Sequence, residues 1–272
     1  MTVRVFPRRT NATPRDDMAF VGAPGLFPPE RVNAVHISVT FTWDLPYAQQ
    51  LAKEWSDLAP VVIGGPATGM RGEDFTPGRY LRPGYVITSR GCPNRCWFCA
   101  AWKRDGEVRE LPVQDGWNVL DDNLLACSSG HIGRVLDMLL RQKRQPEFTG
   151  GLEAARLTPE LAEALRSVRP RQMFFAYDEP SDWEPLVRAA NLLWRAGFSK
   201  SSHAVRAYVL CGWTKDTMAA ADARMRQVLS LGILPMAMLW RDDRGAKNPA
   251  WRHFQNVWVR PHIVASKLGA VA

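Results

Sequence analysis

The stretch Gly84-Tyr85-Val86-Ile87-Thr88-Ser89-Arg90-Gly91-Cys92-Pro93-Asn94-Arg95-Cys96-Trp97-Phe98-Cys99 passes from a β-rich apolar run into a loop that carries three cysteines. Valine and isoleucine suit a pleated, half-buried strand, and Gly91 and Pro93 punctuate its end. The same strand-then-helix order recurs downstream. Apolar runs predict strands near Tyr85 to Ser89, Trp117 to Leu120, Glu147 to Gly150, Gln172 to Tyr177, Val205 to Leu210 and Ile233 to Leu239. Glu147 to Gly150 is the poorest of these in large apolar residues. Helical patterns fill the gaps. His131 to Gln142 puts Ile132, Val135, Leu136, Leu139 and Leu140 on one stripe, and Thr158-Pro159 opens the next helix with an N-cap and a first-turn proline. Two more are expected from Ser181 to Ala196, ending at Gly197, and from Thr214 to Leu231, ending at Gly232, with Thr214 as N-cap. Six strands at about 26 residues each match the βα repeat and argue for a parallel sheet. A complete eight-stranded barrel needs about 250 residues, so the fold class expected is α/β, a partial (β/α)6 TIM-like barrel. In the tail from Trp240 onward only a closing helix near Pro249 to Val257 is expected.

Upstream lies a smaller unit. Val35 to Phe41 reads as a buried strand, Pro46 to Leu58 as a helix with Leu51 and Trp55 one turn apart, and Pro60 to Ile63 as a second strand that stops at Gly64-Gly65-Pro66. That is one βαβ unit, a Rossmann-like remnant, and the Gly-, Pro- and charge-rich segment from Ala67 to Pro83 is its linker. The expected division is an N-terminal α/β unit over 1–76 and the barrel core with its closing segment over 77–272.

The chain has 272 residues, 46% hydrophobic and 23% charged, near the globular average, which excludes a disordered or collagen-like chain. No apolar run approaches the roughly 20 residues of a membrane span, and Met1 to Arg9 holds no signal-like apolar segment, so no membrane partner and a cytoplasmic location are expected. The 35 Lys and Arg against 27 Asp and Glu give a net charge of +8, which points to an anionic partner such as a nucleic acid or nucleotide, or else to a solvated basic surface. Arg141, Lys143 and Arg144 form one such run.

Cysteine is the sharper signal. Three of five cysteines, Cys92, Cys96 and Cys99, crowd into a C-x3-C-x2-C pattern directly after a strand. Three thiolates on one tight loop suit an iron-sulfur cluster, and because a 4Fe-4S cube takes four ligands, three leave one iron open. A Cys96/Cys99 thiol-disulfide pair and a structural zinc with a distant fourth ligand are the other chemistries this pattern admits. A metal-stabilised, basic nucleic-acid-binding module without cofactor chemistry is the alternative function.

Val86 to Cys99, with aromatic Phe98 just before the third cysteine, resembles the cluster motif of the radical S-adenosylmethionine enzymes, and the likeness extends over about Gly84 to Leu239. The resemblance implies that Cys92, Cys96 and Cys99 hold a 4Fe-4S cluster whose open iron is chelated by S-adenosylmethionine. An electron from a donor such as flavodoxin or ferredoxin then cleaves the cofactor to a 5'-deoxyadenosyl radical that takes hydrogen from substrate. It implies a cofactor-binding role for Phe98, for Asp121, Asp122 and Asn123 after the second strand, for Glu153 and Arg156 after the third, and for Trp213 after the fifth. A helix-capping turn at 121–123 and an i,i+3 salt bridge between Glu153 and Arg156 account for the same residues without a ligand. Asp178, at the end of the fourth strand, is placed to touch ribose, cofactor or substrate, and Cys127 and Cys211 are candidates for a hydrogen-atom donor or extra ligand, or are buried structural thiols. The substrate expected from the charge is a nucleic acid or nucleotide, and the reaction a nucleic-acid modification. The N-terminal unit resembles part of the cobalamin-binding domain of one branch of the family. Its Asp-x-His-x-x-Gly ligand is absent, so the unit reads as degenerate and histidine-ligated cobalamin is not expected.

Overall fold

The computed structural model describes residues 1–246, 248–260 and 264. The chain is mixed α/β and is built on two parallel sheets. The first holds β1 (Thr2–Phe6), β2 (Ala19–Val21), β3 (Ala34–Ser38) and β4 (Val61–Gly64) in the order β2-β1-β3-β4, with α1 (Leu45–Trp55) crossing from β3 to β4. The expected βαβ unit is therefore present and is extended by β1 and β2. These two the sequence did not announce, because Thr2–Phe6 alternates polar and apolar residues only as far as Val5 and Ala19–Val21 is just three apolar residues. Val3, Val5, Val35, Ile37 and Val39 face Ala48, Leu51 and Trp55 of α1 in one buried cluster. The indole N–H of Trp55 donates to the Gly22 carbonyl at 3.0 Å, so the largest core side chain also fixes the loop after β2.

The second sheet contains β5 (Tyr85–Val86), β8 (Asn118–Val119), β9 (Glu147–Phe148), β10 (Gln172–Ala176), β11 (Val205–Cys211) and β12 (Leu234–Leu239) in that order, every pair parallel. Strands adjacent in the chain are adjacent in space, each connected through helical segments, which puts all six carboxyl ends at one edge. The helices are α2 (Ala101–Asp105), α3 (Ser129–Leu140), α4 (Pro159–Ser167), α5 (Trp183–Arg195), α6 (Met218–Ser230) and α7 (Pro249–Trp258), the last being the expected closing helix. Pro235 lies in β12, whose place at the sheet edge tolerates the missing N–H. Val135, Leu139, Leu165, Leu186, Leu193, Met225 and Val228 of α3 to α6 pack onto Val86, Val119, Phe148, Met173, Phe175, Val205 and Ala207 of the strands. None of the helices among the described residues is long and apolar enough to cross a membrane.

Two expectations are corrected. The strand foreseen over Tyr85 to Ser89 divides into β5 and a separate β6 (Ser89–Arg90), which pairs antiparallel with β7 (Arg109–Glu110) and so turns the cysteine loop into a hairpin enclosing α2. The helix foreseen from Thr214 begins at Met218, and its N-cap is Thr217, whose side chain accepts from the Ala220 N–H at 3.2 Å. Residues 213–216 are left free to line a cavity.

Candidate functional site

The cysteine loop leaves the first strand under tight control. Gly91 has φ +85°, and a Cβ there would lie 2.3 Å from the Glu107 carbonyl, so only glycine lets the two sides of the β6–β7 hairpin close behind Cys92. The Cys92 N–H donates to the Gly106 carbonyl at 3.0 Å, the Cys99 N–H to the Cys96 carbonyl at 3.2 Å, and the Trp102 indole to the Cys96 carbonyl at 2.9 Å. The Ala101 N–H points at the Cys99 sulfur, 3.4 Å away. All three cysteines are half-buried. Burial pushes the Cys96 thiol up to about 11, and the neighbouring Cys99 and Cys92 push it the same way, which places both close to the Cys96 sulfur. Among the described residues no three of His, Cys, Asp and Glu are gathered round a common point able to hold a metal ion.

The segment after β8 supplies the supports of this loop. Asp121 is 1% exposed, and its carboxylate accepts from the Thr88 N–H at 2.6 Å, the Thr88 hydroxyl at 2.5 Å and the Ser89 hydroxyl at 2.8 Å. It caps no helix, and both of its oxygens are already engaged by the start of the cysteine hairpin. It latches the carboxyl end of β8 to the start of the cysteine hairpin. The buried His131 ring meets the same Thr88 hydroxyl at 3.2 Å, a contact no sequence pattern signals. Asp122 accepts from the Gly91 N–H at 2.9 Å and faces Arg104 at 3.6 Å, so it too positions the loop.

Asn123 behaves differently. Its side-chain N–H reaches Glu153 Oε2 at 2.6 Å and the Cys92 sulfur at 3.5 Å, while its Oδ1 is buried without a partner. A buried acceptor left unpaired costs about 1–3 kcal/mol, and this Oδ1 retains its capacity to accept a hydrogen bond. Glu153 also accepts from Arg156 Nε at 2.6 Å. The i,i+3 salt bridge foreseen for this pair is thus present and is tied through Asn123 to Cys92.

Facing the loop is a cavity of about 540 Å³ lined by Trp97, Asp178, Glu179, Trp213, Arg224 and Trp240 among others, at the carboxyl ends of β10, β11 and β12. Trp97, 48% exposed, extends from between the second and third cysteines to ring centroids 6.3 Å from Trp213 and 6.4 Å from Trp240. Phe98 packs edge-on against Trp97 at 5.4 Å. Arg224 of α6 lies over the Trp213 ring at 4.6 Å, donates to the Leu210 carbonyl and to Asp216 at 3.1 and 2.8 Å, and keeps a buried Nε with no partner. The sequence reading missed Arg224, since a lone arginine on a helix carries no motif. Two of the four unpartnered buried side-chain atoms found among the described residues therefore lie at this site, one an acceptor and one a donor.

The remaining candidates separate. Cys211 is fully buried in the core and its thiol is pushed by burial up to about 12, which makes it a structural thiol. Cys127 packs half-buried against the same core and is pushed by burial up to about 11. Asp178 lines the cavity, accepts from the Leu210 N–H at 2.8 Å, and is pushed by burial, with Asp182 and Glu179 close by, up to about 7 from an ordinary 3.8. A carboxyl whose pKa is higher folded than unfolded keeps its proton longer in the folded state. Its contribution is present in full below about pH 4 and is lost as pH rises through 7. Denaturant titrations should show Asp178→Asn removing about 2 kcal/mol of that decline, the full linkage being reduced because the group is only half-buried; identical pH profiles for the two proteins would contradict it.

No family model matches the chain, and no curated protein matches it.

Proposed function

We propose that the chain is a radical S-adenosylmethionine enzyme whose six sequentially ordered strands form an open (β/α)6 barrel over 77–272, preceded by a small unit, 1–76, that no longer carries a cobalamin ligand. The observation that carries the reading is the unpartnered Asn123 Oδ1 beside Cys92, on a three-cysteine loop at the carboxyl edge of a parallel sheet. Such edges are where singly wound barrels place their chemistry.

Cys92, Cys96 and Cys99 would hold a 4Fe-4S cluster, and the donor set fits in kind: three half-buried thiols on one loop, soft ligands, with Cys99 and Cys92 near enough to act on the Cys96 sulfur. Filling the site requires the three sulfurs to converge. Such a cluster, with S-adenosylmethionine and an electron donor such as flavodoxin or ferredoxin, would supply one-electron reductive cleavage of the cofactor's carbon–sulfur bond, with methionine as the leaving fragment and the 5'-deoxyadenosyl fragment available for hydrogen abstraction.

The chain's own residues do the rest. Asn123 Oδ1 would accept from the cofactor's amino group, with Glu153 and Arg156 holding the amide in place, and Arg224 Nε would donate to an acceptor on the nucleoside. Trp97, Trp213 and Trp240 wall the cavity, with Phe98 packed edge-on behind Trp97, and would limit the access of water once a ligand is bound. Protonated, Asp178 offers a hydrogen-bond donor at the mouth near neutral pH.

Equilibrium dialysis with labelled S-adenosylmethionine tests these assignments. Asn123→Ala is expected to weaken binding about tenfold to a hundredfold, the worth of one charge-assisted hydrogen bond. Unchanged affinity would overturn the role of Asn123.

A further inference from the structure

The net charge of +8 is unevenly placed. At the carboxyl edge of the six-stranded sheet three arginines sit in carboxylate pairs, Arg104 with Asp105 and Asp122, Arg156 with Glu153 and Arg224 with Asp216, while exposed Arg95, Lys103 and Lys215 are spread over the cysteine hairpin and the loop after β11. The opposite edge is different. Because β8, β9, β10 and β11 run parallel, the segments that enter them end side by side: Arg141, Lys143 and Arg144 before β9, Arg169 and Arg171 before β10, and Lys200 before β11. All six are exposed, and among the described residues only Arg171 has a carboxylate partner, Glu147 at 3.2 Å.

Aromatic rings seat several of these charges. Arg144 lies 4.6 Å over Trp117 and Lys200 5.7 Å over Trp194, and behind them Arg166 rests on Phe198 and Arg206 on Phe174. Such seating restrains the side chains while leaving the charge unneutralised. Arg171 stands near enough to help push the Arg206 guanidinium down, although burial does more. A run of like charges, all but Arg171 without a carboxylate partner, at the entrances to three neighbouring strands, two interstrand steps or about 10 Å, is a surface shaped for a polyanion.

We infer that this amino-terminal rim docks the sugar-phosphate backbone of a nucleic-acid duplex. A single strand is disfavoured because the rings that bases would stack on are covered by cations. A membrane or an acidic protein is disfavoured because Leu140 is the only exposed large apolar side chain among the described residues of the rim, and such partners need apolar anchors. The rim lies about 20 Å from the cysteine loop along the strands. A duplex held there does not enter the cavity, so the rim tethers the protein without presenting substrate to the site. The inference stands apart from the proposed reaction, and its test uses the full chain without cofactor or reductant.

Fluorescence anisotropy with a labelled random-sequence duplex reads it. Neutralising Arg141→Gln, Lys143→Gln and Arg144→Gln together is expected to weaken binding about 100- to 1,000-fold at 0.1 M salt and to reduce the log–log salt slope by about 3, one phosphate contact per residue. The pair Arg169→Gln and Lys200→Gln should lose about 100-fold by the same rule. Neutralising Arg9, Arg15 and Lys53, exposed bases of the N-terminal unit, removes the same charge elsewhere and should cost less than about tenfold. Equal loss in rim and control variants, an unchanged salt slope, tighter binding of single strands than of duplex, or rim-dependent binding of anionic vesicles in place of duplex would each overturn the inference.

Discussion

Replacing Cys92, Cys96 and Cys99 together by alanine is expected to remove iron and sulfide from the anaerobically reconstituted protein, from about four of each per chain to below about a tenth of that. The fold should survive the change. None of the three packs in either buried cluster, which draw instead on Cys127 and Cys211, and each lies on a half-buried loop held by backbone hydrogen bonds that alanine retains. Circular dichroism and thermal melting should therefore match the parent, so that loss of iron reports ligation. Replacing Cys127 and Cys211 should leave the iron content intact. Iron retained by the triple variant would remove the thiols from any ligand role.

Asp121→Ala should give the largest loss of stability from a single polar side chain. It would leave the Thr88 N–H and the Thr88 and Ser89 hydroxyls without their acceptor in a fully buried setting. An unsatisfied buried donor costs about 1–3 kcal/mol, and the hydroxyls recover part by rotating, so about 3–5 kcal/mol is expected. In a chain of this size that lowers the melting temperature by about 10 °C or more. Asp121→Asn should cost less, since its amide still offers one acceptor. Because β5 and the cysteine hairpin meet at this carboxylate, the variant should also lose iron on reconstitution more readily than the parent. A stability within 1 kcal/mol of the parent, on the scale of a typical surface change, would show that the latch carries no energy.

The order of strands in the second sheet could be read from sequence because most of the apolar runs are bounded by a glycine or by a capped helix, and because sequential βα units have one economical packing. The weak run at Glu147 to Gly150 is a strand of only two residues, and its ladder continues because the Glu147 N–H reaches the Trp117 carbonyl at 2.7 Å. The β1 and β2 strands were not legible, since their pairing is with residues far along the chain and their length gives no period. At the site, spacing identified the three thiols and the 121–123 segment but could not tell latch from ligand. That distinction depends on which oxygen already has a partner, and it separates Asp121 and Asp122, both committed to the loop, from Asn123, which is not. Arg224 became visible only when α6 packed it over Trp213.

The net charge likewise takes its meaning from position. Read as a number, it favoured an anionic substrate at the mouth. Read in place, the densest run of unpaired bases lies at the far edge of the sheet, while Arg95, Lys103 and Lys215 remain at the carboxyl edge, so the number alone does not say where an anionic partner sits.

The most direct measurement of the central proposal is to incubate the reconstituted, chemically reduced protein anaerobically with S-adenosylmethionine and to quantify 5'-deoxyadenosine and methionine by mass spectrometry. Both products in equal amounts, dependent on reductant and absent from the triple cysteine variant, are the predicted result. An intact cofactor after incubation with protein that carries its full complement of iron and sulfide would contradict it.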